Sequence, residues 1–130
     1  MGLILDTNFI IAAERDARRG VAGRADLFLA GRPDESFFIT FTVAGELACG
    51  QSAARRNDWE KLCRPYPVLP WNQEISWQYG EIYRALSAVG QLIGTNDMWI
   101  AATASSNDMG VVTNNQAEFE RVPGLVVIPY

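Results

Sequence analysis

Short apolar runs alternate with longer stretches of mixed polarity along the chain. Gly2-Leu3-Ile4-Leu5 is wholly apolar and stops at Asp6, the pattern of a central strand. Residues 7–15 place Phe9, Ile10 and Ala13 at helical spacing. A second helix is expected over 21–30, closed by Gly31 and Pro33. Phe37-Phe38-Ile39-Thr40-Phe41 is β-branched and aromatic and predicts a second strand, with Thr42 placed to cap a helix through Val43, Leu47 and Ala48. Residues 53–63 read as an amphipathic helix carrying Trp59, Leu62 and Cys63 on one side. Tyr66-Pro67-Val68-Leu69-Pro70 is bracketed by prolines, which suits an edge strand. The longest helix, 73–88, keeps Ile75, Tyr79, Ile82 and Leu86 in phase. Asp97 opens a nearly all-apolar helix over 98–106, and 110–113 and 125–128 are the last two strands. Strands separated by helices imply right-handed crossovers. The expected fold is a three-layer α/β/α sandwich around a mainly parallel sheet of about five strands, with ligands at the carboxyl ends of the strands.

Length and composition narrow the class. The chain has 130 residues, 48% hydrophobic and 20% charged, which fits a single domain over 1–130 and excludes wholesale disorder. No apolar run is long enough to span a bilayer. The first residues lack the basic segment of a secretory leader, so the expected location is the cytoplasm. Cys49 and Cys63 are too few for a disulfide framework and read as small buried thiols.

Histidine is absent, which removes Ser-His-Asp and Cys-His catalysis and His-ligated metals. The net charge of −4 argues against a purely electrostatic nucleic-acid coat. Ten of the eleven cations are Arg and one, Lys61, is Lys; Arg suits bidentate phosphate contacts.

Three of the fifteen acids stand in unexpected places. Asp6 ends a central strand, Glu46 follows the second strand among small apolar residues, and Asp97 stands at the mouth of the most apolar helix. A parallel sheet brings the first two to one edge, and Asp97 joins them if its helix starts there. Like charges at ~4 Å repel by about 4 kcal/mol at an effective dielectric near 20. Such a cluster must take up protons or hold a cation. Hard oxygen donors select Mg²⁺ or Mn²⁺, which activate water and steady an in-line phosphoryl transition state. Asp6 and Asp97 also fit ordinary helix N-caps, worth ~1 kcal/mol each. Glu46 lies too deep for a capping box and otherwise fits a solvated helix position.

These residues resemble a known family. Leu3-Ile4-Leu5-Asp6-Thr7-Asn8 resembles the opening motif of PIN-domain nucleases. Thr42-Val43-Ala44-Gly45-Glu46-Leu47 is similar to their second acidic motif, and Ile93-Gly94-Thr95-Asn96-Asp97-Met98 onward through Ala104 to their third. The stretch from Val112-Thr113-Asn114-Asn115 through Glu118-Phe119 to Pro123-Gly124-Leu125 resembles the closing segment of VapC-type toxins, a bacterial and archaeal branch. All four motifs stand in order across the whole chain.

The resemblance implies a PIN-like fold and a magnesium-dependent endoribonuclease, with Mn²⁺ as a possible substitute. It implies RNA as substrate, a VapB-like antitoxin as partner, and a homodimer. Carried over by position, Asp6, Glu46 and Asp97 are the metal-binding acids. Asn115 takes the fourth acidic position, where an amide adds no charge, and Glu118 is a nearby substitute or an exposed helix residue. Thr7, Asn8, Asn96 and Thr113 fall in supporting positions. A PIN nuclease of housekeeping RNA processing and a non-catalytic module on the same fold are the competing readings. An aspartyl-phosphate phosphatase is disfavoured, because Thr7-Asn8 lacks the second Asp such enzymes carry.

Arg15, Arg18, Arg19 and Arg24 cluster after the first helix and fit either RNA backbone, an acidic partner or a solvated face. Trp59, Trp77 and Trp99 fit core or interface, and Trp71 is the one expected to be exposed.

Overall fold

A computed structural model describes residues 2–130; Met1, the first residue of the expected domain, lies outside the described residues. The elements follow in the order β1 Gly2–Leu5, α1 Thr7–Arg19, α2 Arg24–Ala30, β2 Ser36–Thr40, α3 Phe41–Ala48, a 3₁₀ turn Gln51–Ala53 and α4 Arg56–Cys63. The rest are β3 Val68–Leu69, α5 Gln73–Ala88, α6 Thr95–Ser106, β4 Gly110–Val112, α7 Gln116–Phe119 and β5 Val127–Ile128.

The five strands form one sheet in the order β3-β2-β1-β4-β5, every pair parallel. Leu3 pairs with Phe37, Ile4 with Val111, Ile39 with Val68 and Val112 with Ile128. The chain steps outward from β1 through β2 to β3, then returns to β4 and β5 on the other side of β1. With right-handed crossovers the outward and returning helices cover opposite faces. The sheet therefore switches direction between β1 and β4. β1 is apolar throughout because both of its faces are covered: Leu3, Ile4 and Leu5 are buried, as are Val111 and Val112 beside them. α6 contributes Ile100, Ala101, Ala102 and Ala104 to the same core, and α5 contributes Ile75, Ile82 and Leu86.

Several boundaries differ from the sequence reading, each for a local reason. α1 continues a turn past residue 15. That turn is polar; Arg18 reaches back to Glu14 at 3.0 Å, and Gly20, at φ 68°, closes the helix in the left-handed region. α2 starts at Arg24 rather than Val21, with Gly23 as its N-cap. The stretch 53–63 is broken, because a 3₁₀ turn precedes α4 and the helix opens only at Arg56. β3 and β5 shrink to two residues each. β3 lies at the sheet edge, where Pro67 contributes a carbonyl to Ile39 N–H at 3.1 Å but no donor. Cys49 is exposed, unlike the buried Cys63. Trp71 is exposed as expected, but Trp77 is also outside the core, with Arg84 lying over its ring at 5.3 Å.

The cap of α3 is Thr40, not Thr42. Thr40 Oγ1 accepts from Val43 N–H at 3.1 Å, so the strand ends one residue earlier and Phe41 enters the helix, packing edge-on to Trp99. Thr42 is left with a buried hydroxyl that has no hydrogen-bond partner among the described residues. Thr42→Val keeps the shape and removes the unpaired group. It is expected to raise unfolding free energy by about 1 kcal/mol in denaturant titration; a loss of stability would contradict the assignment.

Candidate active site

Element ends deliver the acids to one edge. Asp6 follows β1 and Thr113 follows β4, so both stand at the carboxyl ends of adjacent central strands, where the sheet changes direction. α3 leaves the carboxyl end of β2 and carries Glu46. α6 leads into β4 and so starts at that same edge, with Asp97 in its first turn. α7 follows Asn115 and presents Glu118.

The capping alternatives separate here. Asp6 is the N-cap of α1, its Oδ1 accepting from Thr7 N–H at 2.8 Å. Asp97 caps nothing; α6 begins two residues earlier, behind Gly94. Glu46 is half-buried rather than freely solvated.

Hydroxyls and amides link the carboxylates. Thr7 Oγ1 donates to Glu46 Oε1 at 2.7 Å, and Thr113 Oγ1 donates to Asp6 Oδ2 at 2.8 Å. Thr113 also accepts from Asn115 N–H at 2.9 Å, which fixes the turn out of β4. The Asn115 amide then bridges Asp97 Oδ2 at 3.3 Å and Glu118 Oε2 at 3.2 Å. Asn96 reaches Glu46 Oε2 at 3.3 Å. Thr7, Asn96, Thr113 and Asn115 thus all meet the acids. Asn8 does not; it is exposed and lines a separate cavity with Arg15 and Tyr130.

Among the described residues none of the four carboxylates has an ion-pair partner. Asp97 is pushed up to about 7, by burial first and then by the charge of Asp6, by its contacts with Glu118 and by Glu46. Burial also pushes Asp6 above the usual carboxylate range, with Glu46 adding to it, while hydrogen bonds from Thr113 and Thr7 pull it back. Glu118 therefore belongs to the cluster. The sequence leaves Glu118 open between a substitute acid and an exposed helix residue, because α7 has only four residues and no periodicity to decide it.

The family model described as PIN domain matches residues 3–125. The chain is 31% identical to Ribonuclease VapC1 of Haemophilus influenzae strain R2866 over 127 residues, covering 94% of this chain and 92% of that protein. This chain belongs to the PIN-domain family, in its VapC branch. It is also 26% identical to Ribonuclease VapC2 of Rickettsia felis, over 95% of this chain and 94% of that protein. The solved structure of VapBC-1 from nontypeable H. influenzae superimposes with a TM-score of 0.81 at 28% identity, covering 99% of this chain and 98% of the other. VapBC2 from R. felis, solved bound to a DNA fragment from their promoter, gives a TM-score of 0.82 over 100% of this chain and 99% of that one, at 20% identity, which speaks to the fold.

The donors of this PIN domain fit a hard divalent cation. They are all oxygens, among the described residues no ion pair offsets their charge, and burial followed by the neighbouring acids pushes Asp97 up. Among the described residues no three acids stand close enough to hold a metal ion as they are. Each carboxylate is turned toward a neighbouring hydroxyl or amide instead.

Proposed function

We propose that this PIN domain is a divalent-metal-dependent endoribonuclease and the toxin of a type II toxin–antitoxin pair. The observation that carries the reading is a cluster of four carboxylates that have no ion-pair partner among the described residues, at the direction switch of the sheet. Asp6 and Asp97, with Glu46 and Glu118, are the residues to hold Mg²⁺, for which Mn²⁺ can substitute. When bound, the cation supplies Lewis acidity toward a phosphate oxygen and lowers the pKa of a water.

The chain's own groups do the rest. Thr7 and Thr113 fix the rotamers of Glu46 and Asp6 through hydroxyl hydrogen bonds. Asn115, the amide at the fourth acidic position, adds no charge; it sets the distance between Asp97 and Glu118. A carboxylate of the cluster accepts the proton of the attacking water. Oxygen bonds to phosphorus in line, and the 3′ oxygen leaves with its electron pair and takes up a proton. The products carry a 5′ phosphate and a 3′ hydroxyl.

The relatives' solved structures are VapBC pairs. By that analogy the natural partner is a VapB-like antitoxin; a homodimer acting in the cytoplasm is part of the same proposal, not of the analogy. Among the described residues no helix is long and apolar enough to cross a membrane.

Cleavage of single-stranded RNA in Mg²⁺ or Mn²⁺ tests the reading. It is expected to disappear in excess EDTA and return when the ion is restored. Cleavage undiminished by EDTA, or no cleavage with any divalent ion, would overturn it.

A further inference from the structure

One cavity stands beside the acids without belonging to them. It measures about 520 Å³ and lies between α1 and α2, within the size range of small-ligand sites. Asn8, Arg15, Arg24, Asn114 and Tyr130 line it, together with Asp16. We infer that this cavity is a nucleotide subsite for the RNA strand, adjoining the scissile phosphate. Arg15 and Arg24 bind the backbone phosphate, and the Tyr130 ring with the Asn8 and Asn114 carboxamides takes the nucleoside. The inference rests on the ribonuclease reading and adds where the substrate lies.

Connectivity joins the cavity to the acids. Asn8 is two residues beyond Asp6, and Asn114 adjoins Thr113, whose hydroxyl holds Asp6. Asn114 Oδ1 accepts from Tyr130 N–H at 3.2 Å, which ties the end of the described chain to this wall. Tyr130 and Arg15 line the same cavity. The Tyr130 ring is held edge-on against the fully buried Phe9, at 4.7 Å between centroids. A fixed aromatic beside a phosphate-binding cation is the usual furniture of single-strand binding.

Charge selects the occupant. Among the described residues Arg15 and Arg24 have no ion-pair partner, whereas Arg18 is held by Glu14. Asp16 is the one acid in the wall, and its carboxylate packs against Gly23, where any side-chain carbon would collide with it. The cavity therefore carries net positive charge next to a strongly negative site. A phosphate bridging the two suits that boundary; a basic protein segment does not.

Steady-state cleavage of a fluorogenic single-stranded RNA by the full chain, in saturating Mn²⁺, tests the subsite. Arg15→Ala and Arg24→Ala should each raise KM several-fold with kcat within about twofold. Each should also flatten the slope of log KM against log salt by about 0.7, one single-strand phosphate contact. Tyr130→Ala should raise KM about tenfold and Tyr130→Phe much less, with thermal melts confirming that both remain folded. Arg84→Ala, on α5 beside Glu81, removes a positive charge elsewhere and should change neither. If wild type cleaves RNA but the arginine variants keep its KM and salt slope, the cavity serves another partner and the inference falls. A fall in kcat at unchanged KM would also overturn it. If wild type cleaves no RNA with any divalent ion, it is the ribonuclease reading that fails.

Discussion

Asp97→Asn is expected to abolish RNA cleavage and, without metal, to make the protein more stable. The loss should be at least about 10²- to 10³-fold in kcat, the equivalent of roughly 3–4 kcal/mol at the transition state. The gain follows from the same charge. In the folded chain Asp97 holds its proton up to about 7 instead of 3.8, because burial and the neighbouring acids oppose its ionisation. Between those values the folded state binds the proton more tightly than the unfolded one. Stability therefore falls as pH rises from about 4 to above 7, and the penalty is fully present only above 7. A shift of this size in a fully buried group would be worth about 4 kcal/mol. Asp97 is only half-buried and its field is screened, so about 1–2 kcal/mol is the expected gain at pH 8. Melting in EDTA should accordingly show wild type losing Tm between pH 5 and pH 8, with Asp97→Asn losing less, because Asp6 remains raised, and standing a few degrees higher at pH 8. Adding Mg²⁺ should stabilise wild type at pH 8 and leave the variant unchanged. A variant that retains activity, or that melts below wild type at pH 8, would contradict this account.

Phe9→Ala should cost about 3–5 kcal/mol, a large part of the stability of a domain this size. Phe9 is fully buried on the inner side of α1 and receives the edges of Phe28 at 5.9 Å and Tyr130 at 4.7 Å. Truncation leaves a cavity bordered by two other rings, which cannot all collapse into it. Urea unfolding should show the midpoint falling without a change in slope. Ile11→Ala, on the exposed side of the same helix, should cost less than about 1 kcal/mol. Equal losses at the two positions would mean that α1 does not pack through Phe9.

Strong periodicity explains what could be read before the coordinates. The all-apolar β1 and β4 runs admit only buried strands, and the 3.6-residue rhythm of α5 admits only a helix. Their alternation then sets a parallel sheet and places Asp6, Glu46 and Asp97 at one edge. What escaped the sequence depends on single hydrogen bonds or short pieces. Thr40 and Thr42 are equally good caps on paper, and only the backbone angle at the end of β2 chooses between them. The polar last turn of α1 carries no apolar signal and is held by one ion pair and a glycine. Glu118 stays open on paper between a substitute acid and a surface residue because α7 has only four residues, and the Asn115 amide bridging it to Asp97 is a contact no spacing announces. Asn8, placed by motif among the supporting residues, turns outward because helix geometry sends neighbouring residues 7 and 8 to different sides.

Manganese soaked into crystals of the wild-type chain, located by its anomalous scattering, tests the central claim most directly. The account predicts a peak at the carboxyl edge of β1 and β4, in contact with Asp6 and Asp97, and its loss in Asp97→Asn. Manganese density elsewhere alone, in a crystal of chain that cleaves RNA with that ion, would contradict it.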